Sequence, residues 1–125
     1  MGMNPEIKAQ WVADLRSGEF EQGTGRLNRD GKLCCLGVLC EQAADAGVTD
    51  RAIGDRETLY SGLDNVLPYT VTEWAGLPES NPKVTYVDDD HGEGVRSLAA
   101  LNDGAIPDAR KRTFAEIADL IEGQL

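Results

Sequence analysis

Residues 31–47, GKLCCLGVLCEQAADAG, restrict the possible folds of this chain more than any other stretch. From Leu36 the apolar side chains fall at Leu36, Leu39, Cys40 and Ala43, the i, i+3, i+4, i+7 spacing of one helix face. Just upstream, Asp30-Gly31 is the two-residue signal of a tight hairpin, because both central positions of a type I′ turn need positive φ. The stretch therefore predicts short strands near 26–29 and 32–35, then a helix from Leu36 that Gly47 stops. Leu27 and Leu33 supply the apolar face of the hairpin. Gly37 lies inside the helix at a cost of about 1 kcal/mol relative to Ala, which the close approach of another backbone would explain.

The remaining segments read in the same way. NPEIKAQWVADLRSG predicts a first helix, with Asn4 as cap, Pro5 at its first position and Ile7, Trp11, Val12 and Leu15 on one face. Residues 48–66 are polar and read as a long loop with at most one helical turn. LPYTVTEWAGLP predicts a short helix with Val71, Trp74 and Ala75 inward. NPKVTYVD predicts a strand in which Val84 and Tyr86 alternate with Lys83, Thr85 and Val87. DDDHGEG reads as a loop, and VRSLAALNDG as a short helix with Val95, Leu98 and Leu101 inward. TFAEIADLIEGQL closes the order as a helix with Phe114, Ile117, Leu120 and Ile121 inward, and Thr113 and Glu116 forming a capping box. The expected fold class is α+β: one domain over residues 1–125, with a small antiparallel sheet (the hairpin plus the later strand) packed by about five helices.

Charge narrows the partners. With 22 acidic against 12 basic residues the net charge is −10, which repels phosphate backbones and anionic membranes. Direct nucleic-acid binding is not expected, and a protein partner with a basic surface is. No apolar run follows Met1, and no stretch approaches the roughly 18 apolar residues of a membrane span. Three cysteines without a secretion signal point to a reducing cytoplasm and free thiols.

Several residue sets invite a chemical reading. Structural zinc needs four ligands, usually from spaced pairs. Cys34 and Cys35 are adjacent, and Cys35, Cys40 and the single histidine, His91, match no such spacing, so neither a metal nor another cofactor is expected. Cys34 or Cys35 at a helix start would be a candidate nucleophile, with His91 as its base oriented by Asp90. The competing reading makes these thiols small apolar core residues. Asp89, His91, Glu93 and Gly94 occupy positions 1, 3, 5 and 6 of a calcium loop, but position 12 would be Ala100 rather than the bidentate Glu. Asp88, Asp89, Asp90 and Glu93 are instead expected to face a basic partner. The last helix resembles the first of a helix-turn-helix, but no recognition helix follows it in this sequence. Arg110, Lys111 and Arg112 precede that helix, where basic side chains beside free N–H groups suit an anion. Arg26, Arg29 and Lys32 of the hairpin would join them in space to hold a small anionic ligand. Trp11 and Trp74 read as core anchors in preference to stacking platforms for bases.

WVADLRSGEFEQGTGRLN, KLCCLGVLCEQAADAG, LPYTVTEWAGL and SLAALNDG with TFAEIADLIE together resemble a group of small proteins encoded by bacteriophages and prophages, particularly those of actinobacteria. The resemblance spans nearly the whole chain in the same order. The Cys-Cys-Leu-Gly-Val-Leu run and the Leu-Asn-Asp with its terminal Ile-Ala-Asp helix are the distinctive parts. It implies a setting, the host bacterial cytoplasm, and brings no activity, cofactor or site residue with it. The expected function is that of a phage accessory protein, a non-enzymatic binder of a host protein in takeover or counter-defence. The alternatives are a small-ligand or nucleotide-sequestering protein and a cysteine-dependent enzyme.

Overall fold

The first helix, α1 (Pro5–Arg16), starts where Asn4 accepts hydrogen bonds from the N–H groups of Glu6 (2.9 Å) and Ile7 (3.3 Å), satisfying donors that a helix start leaves open. Its inward stripe is Ile7, Trp11, Val12 and Leu15, as the spacing predicts. The computed structural model describes residues 2–88, 92–104 and 111–125. Within them α1 packs along α5 (Phe114–Gln124) and against α2 (Cys35–Asp45). Arg16 reaches Asp119 (2.6 Å) and Glu122 (3.1 Å) across the α1–α5 seam, but exposed pairs of this kind contribute at most about 1 kcal/mol. Burial of the apolar faces holds the helices together, and Trp11, fully buried, contributes roughly 4 kcal/mol or more of transfer free energy. The capping box that starts α5 is present in both directions, with Thr113 and Glu116 each bonding the other's backbone N–H at 3.2 Å.

Between α1 and α2 the chain forms a three-stranded sheet in the order β1–β3–β2: β1 (Glu21–Gln22), β2 (Asn28–Arg29) and β3 (Lys32–Leu33). Asp30 (φ 54°) and Gly31 (φ 79°) make the expected turn, and β1 adds to β3 in parallel. The hairpin strands are shorter than the predicted 26–29 and 32–35, because Cys34 caps α2 and Cys35 already belongs to it. Helix α2 is the centre of the core: Cys35, Leu36, Gly37, Val38, Leu39, Cys40 and Ala43 are all buried.

The α+β class stands, with the sheet divided differently from the expectation. The hairpin and the later strand do not share one sheet. β6 (Lys83–Asp88) pairs antiparallel with β7 (Gly92–Ser97), a segment that reads as loop and helix start. Glycines at 92 and 94 disguise it, yet Gly94 stands opposite Tyr86, where a Cβ would come within 3.0 Å of the ring. The absent side chain lets the aromatic ring cover the strand. Val95 consequently lies on the outer face opposite Thr85, 54% exposed, and the helix α4 (Leu98–Asp103) begins three residues later than predicted. Residues 48–66 also hold a short hairpin, β4 (Ala52–Ile53) with β5 (Thr58–Leu59). Tyr60 anchors it to α2 by donating to Glu41 (2.6 Å), which also accepts from Arg51 (2.8 Å). The short helix α3 (Tyr69–Ala75) buries Val71 and Ala75 as expected, while Trp74 is only partly buried.

Gly37 explains the cost of a glycine in mid-helix. A Cβ there would run into the Leu27 carbonyl oxygen and lie 2.8 Å from the carbonyl carbon. Gly37→Ala must therefore separate α2 from the hairpin. It is expected to destabilise the fold by about 3 kcal/mol, read as a lower midpoint in chemical denaturation. An unchanged midpoint would show that the two backbones do not touch.

Candidate functional site

The hairpin turn is also where the chain's positive charge collects. Arg29 and Lys32 are directly opposed across β2 and β3, so two cations share one face of the ribbon. Like charges in that position are destabilising. The Asp30 N–H donates to the Arg56 carbonyl (2.7 Å), fastening the turn between β4 and β5 onto the first hairpin. That bond places the Arg56 guanidinium beside Asp30, with its Nε and Nη2 at 3.2 and 2.9 Å from the two carboxylate oxygens. The Arg56 hydrogen bonds hold the Asp30 carboxyl below its usual range.

Lys111 arrives from the opposite side. The Arg112 N–H donates to the Leu101 carbonyl (2.9 Å) and its carbonyl accepts from Gln22 Nε2 (2.7 Å), pinning the approach to α5 against α4 and β1. Arg29, Lys32, Arg56 and Lys111 then line one open groove of about 490 Å³, together with Asp30 and the floor residues Gln22, Gly23 and Thr24.

Asn102 shapes that floor. Fully buried, its Oδ1 accepts from Gln22 Nε2 (2.9 Å) and the Cys35 N–H (3.1 Å), and its Nδ2 donates to the Gly23 carbonyl (2.8 Å) and Asp103 Oδ1 (2.9 Å). Asp103 Oδ1 in turn accepts from the Gly25 N–H (3.1 Å). One amide thus links β1, the loop after it and the start of α2. The sequence does carry a signal for this residue, because Leu98, Leu101 and Asn102 stand at i, i+3, i+4 on the inward face of α4. Arg56 lies in the segment read as an irregular loop, and only the β4–β5 pairing reveals its place.

Of the six predicted anion-binding residues, Arg29, Lys32 and Lys111 come together. Arg26 does not line the groove; its Nε stands 3.5 Å from Asp64 and 3.7 Å from Glu57. Arg112 is 8% exposed, with its guanidinium over the Tyr86 ring (5.6 Å to the centroid), so it works as a packing cation. Arg110, Asp89, Asp90 and His91 lie outside the described residues. Asp88 is the last residue of β6, and Glu93 is exposed on β7, paired with Val87.

The cysteines are buried packing residues. Cys34 is 3% exposed, and Cys35 and Cys40 are fully buried. Burial pushes all three thiols up, Cys34 from 9.0 to about 11, so desolvation outweighs the lowering effect of the helix start. Cys35 Sγ faces the Leu98 carbonyl at 3.6 Å. Among the described residues no group of three His, Cys, Asp or Glu side chains could hold a metal ion, and no helix is long and apolar enough to cross a membrane.

The chain belongs to the family described as Domain of unknown function (DUF8296), whose model matches residues 3–125. No curated protein and no solved structure matches it.

The buried thiols make stability depend on alkaline pH. Above about pH 9 the unfolded chain releases its thiol protons while the folded chain retains them. The unfolded state then binds fewer protons, so stability is full below pH 9 and falls as pH rises towards 11. Cys34 accounts for about 3 kcal/mol of that loss. Urea midpoints measured from pH 8 to 10.5 should fall less steeply for Cys34→Ala than for the parent chain. Parallel pH profiles would show that Cys34 is not protected.

Proposed function

We propose that this chain is a non-enzymatic binding protein and that the cationic groove is where it takes an anionic ligand. One observation carries the reading: four of the chain's 12 Lys and Arg residues line a single groove in a protein of net charge −10. Arg29 and Lys32 face each other across a ribbon, relieved only by 3.7 Å pairs with Glu57 and Glu21, and a bound anion would offset the remaining repulsion. Asp30 is the only carboxylate among the described lining residues, and it competes with a ligand for Arg56. The setting we propose is that of a phage or prophage accessory protein acting in the host cytoplasm, supported by the resemblance of the CCLGVL and LND segments.

Asp30→Asn tests the groove cleanly. Asn tolerates the positive φ of this position, so the turn survives while the competing charge is removed. Sulfate, citrate and pyrophosphate should each bind Asp30→Asn about 3–10-fold more tightly than the parent, and Lys111→Ala more weakly by a similar factor. Isothermal titration at low salt reads both. Equal affinities for parent and variants would remove the groove as an anion site.

The acid surplus supports a second reading, a protein partner with a basic surface in takeover or counter-defence of the host. With the groove's four cations and one carboxylate set aside, a formal +3, the rest of the chain carries −13. Such a surface would steer association with a basic patch. Association rates with a captured host protein should fall steeply between about 50 and 300 mM salt; rates indifferent to salt would sink this reading.

A further inference from the structure

We infer that the groove is built for a diphosphate group and recognises it by its phosphates alone. This rests on the anion-binding reading above and narrows it to one ligand chemistry. The first argument is charge. Four cations less Asp30 leave a formal +3 among the lining side chains, with Glu57 and Glu21 outside the lining at 3.7 Å from Arg29 and Lys32. Two linked phosphates carry about three negative charges at pH 7, whereas one carries no more than about two. A single phosphate leaves part of the lining charge to these long, exposed pairs alone.

The second argument is the arrangement of the donors. The cations approach from four places: Arg29 on β2, Lys32 on β3, Arg56 on the turn between β4 and β5, and Lys111 ahead of α5. A cleft of about 490 Å³ is in the size range that holds small molecules. Arg56 holds Asp30 with Nε and Nη2 and has its remaining N–H groups for one phosphate, while the lysines act as point charges that follow a second. The supports are rigid: the Asp30–Arg56 backbone bond sets one wall, and Asn102 sets the floor at Gln22 and Gly23. The backbone is then already placed, and only the exposed Lys and Arg heads are left for the ligand to order.

The third argument is what the lining lacks. Besides the cations and Asp30, the described lining consists of Gln22, Gly23 and Thr24. Neither aromatic nor aliphatic side chains are among them, so a nucleobase has no face to stack on. Trp11 is fully buried in the core, and Tyr69, exposed on α3, is not at the groove. The diphosphate could be free pyrophosphate or the tail of a nucleoside diphosphate, and the groove chemistry is the same for both.

Titration calorimetry of the full chain at low salt, with pyrophosphate, orthophosphate, ADP, GDP and UDP, tests this. Pyrophosphate should bind about tenfold or more tightly than orthophosphate. The three nucleotides should agree with one another within about threefold. Nucleotides equal to pyrophosphate within about threefold would admit the esterified tail as the source, and weaker ones would identify the free ion; both support the proposal, whereas nucleotides about tenfold or more tighter would show contacts beyond the phosphates and overturn it. Lys32→Ala and Lys111→Ala should each weaken pyrophosphate by about 3–10-fold with unchanged circular dichroism. Orthophosphate equal to pyrophosphate, or one nucleotide tenfold tighter than the others, would overturn the diphosphate assignment and leave the anion-binding reading standing. Failure of sulfate, citrate and every phosphate to bind would overturn both.

Discussion

Backbone groups at the Cys34–Cys35 junction hold three parts of the chain at once. The Cys34 N–H donates to the Leu27 carbonyl (3.3 Å), the Cys35 N–H to Asn102 Oδ1 (3.1 Å), and the Cys35 carbonyl accepts from Trp11 Nε1 (2.9 Å). A helix start leaves several N–H groups without intrahelical partners, and here the start is buried, where an unmade bond costs about 1–3 kcal/mol. Cys34 provides no side-chain cap of its own. The hairpin and α4 supply the acceptors instead, and α1 donates to the Cys35 carbonyl through Trp11, so each must sit where it does for α2 to begin. Gly37 allows this by letting the Leu27 backbone approach the helix.

The groove inherits its shape from that junction. Asn102 satisfies the Cys35 N–H with the same amide that positions Gln22 and Gly23. The core and the groove floor therefore share a residue, while the cations above stand on exposed side chains. This separation of roles has an electrostatic consequence. The charged heads can change partners without disturbing buried contacts, and their positions are set by backbone bonds rather than by ion pairing. The pairs they make within the chain are long, 3.7 Å for Arg29–Glu57 and Lys32–Glu21, except for Arg56 with Asp30.

Legibility in the sequence followed how local each cause was. The faces of α1, α2 and α5, the Asn4 cap, the Thr113–Glu116 box and the Asp30-Gly31 turn arise from residues a few positions apart, and the pattern shows them directly. β7 and the β4–β5 hairpin were hidden, because their strands owe their form to a partner strand and not to their own composition. The site divided along the same line. Arg29 and Lys32 were readable because the turn between them sets their register. Arg56 was not, since a pairing 26 residues away from Asp30 delivers it. Arg112 looked like a member of a basic cluster until Tyr86, from another element, provided the ring that covers it.

The sequence by itself determined the helices, the first hairpin, the shared face of Leu36, Leu39, Cys40 and Ala43 and the surplus of negative charge. Periodicity, capping and turn chemistry act within a few residues, and net charge needs no geometry. Tertiary structure alone decided that the three thiols are sealed from solvent and that four cations share one groove. Both depend on which distant segments pack together: desolvation requires the closed core around α2, and the groove requires the bond from the β4–β5 turn to the first hairpin and the bonds that pin Arg112 to α4 and Gln22.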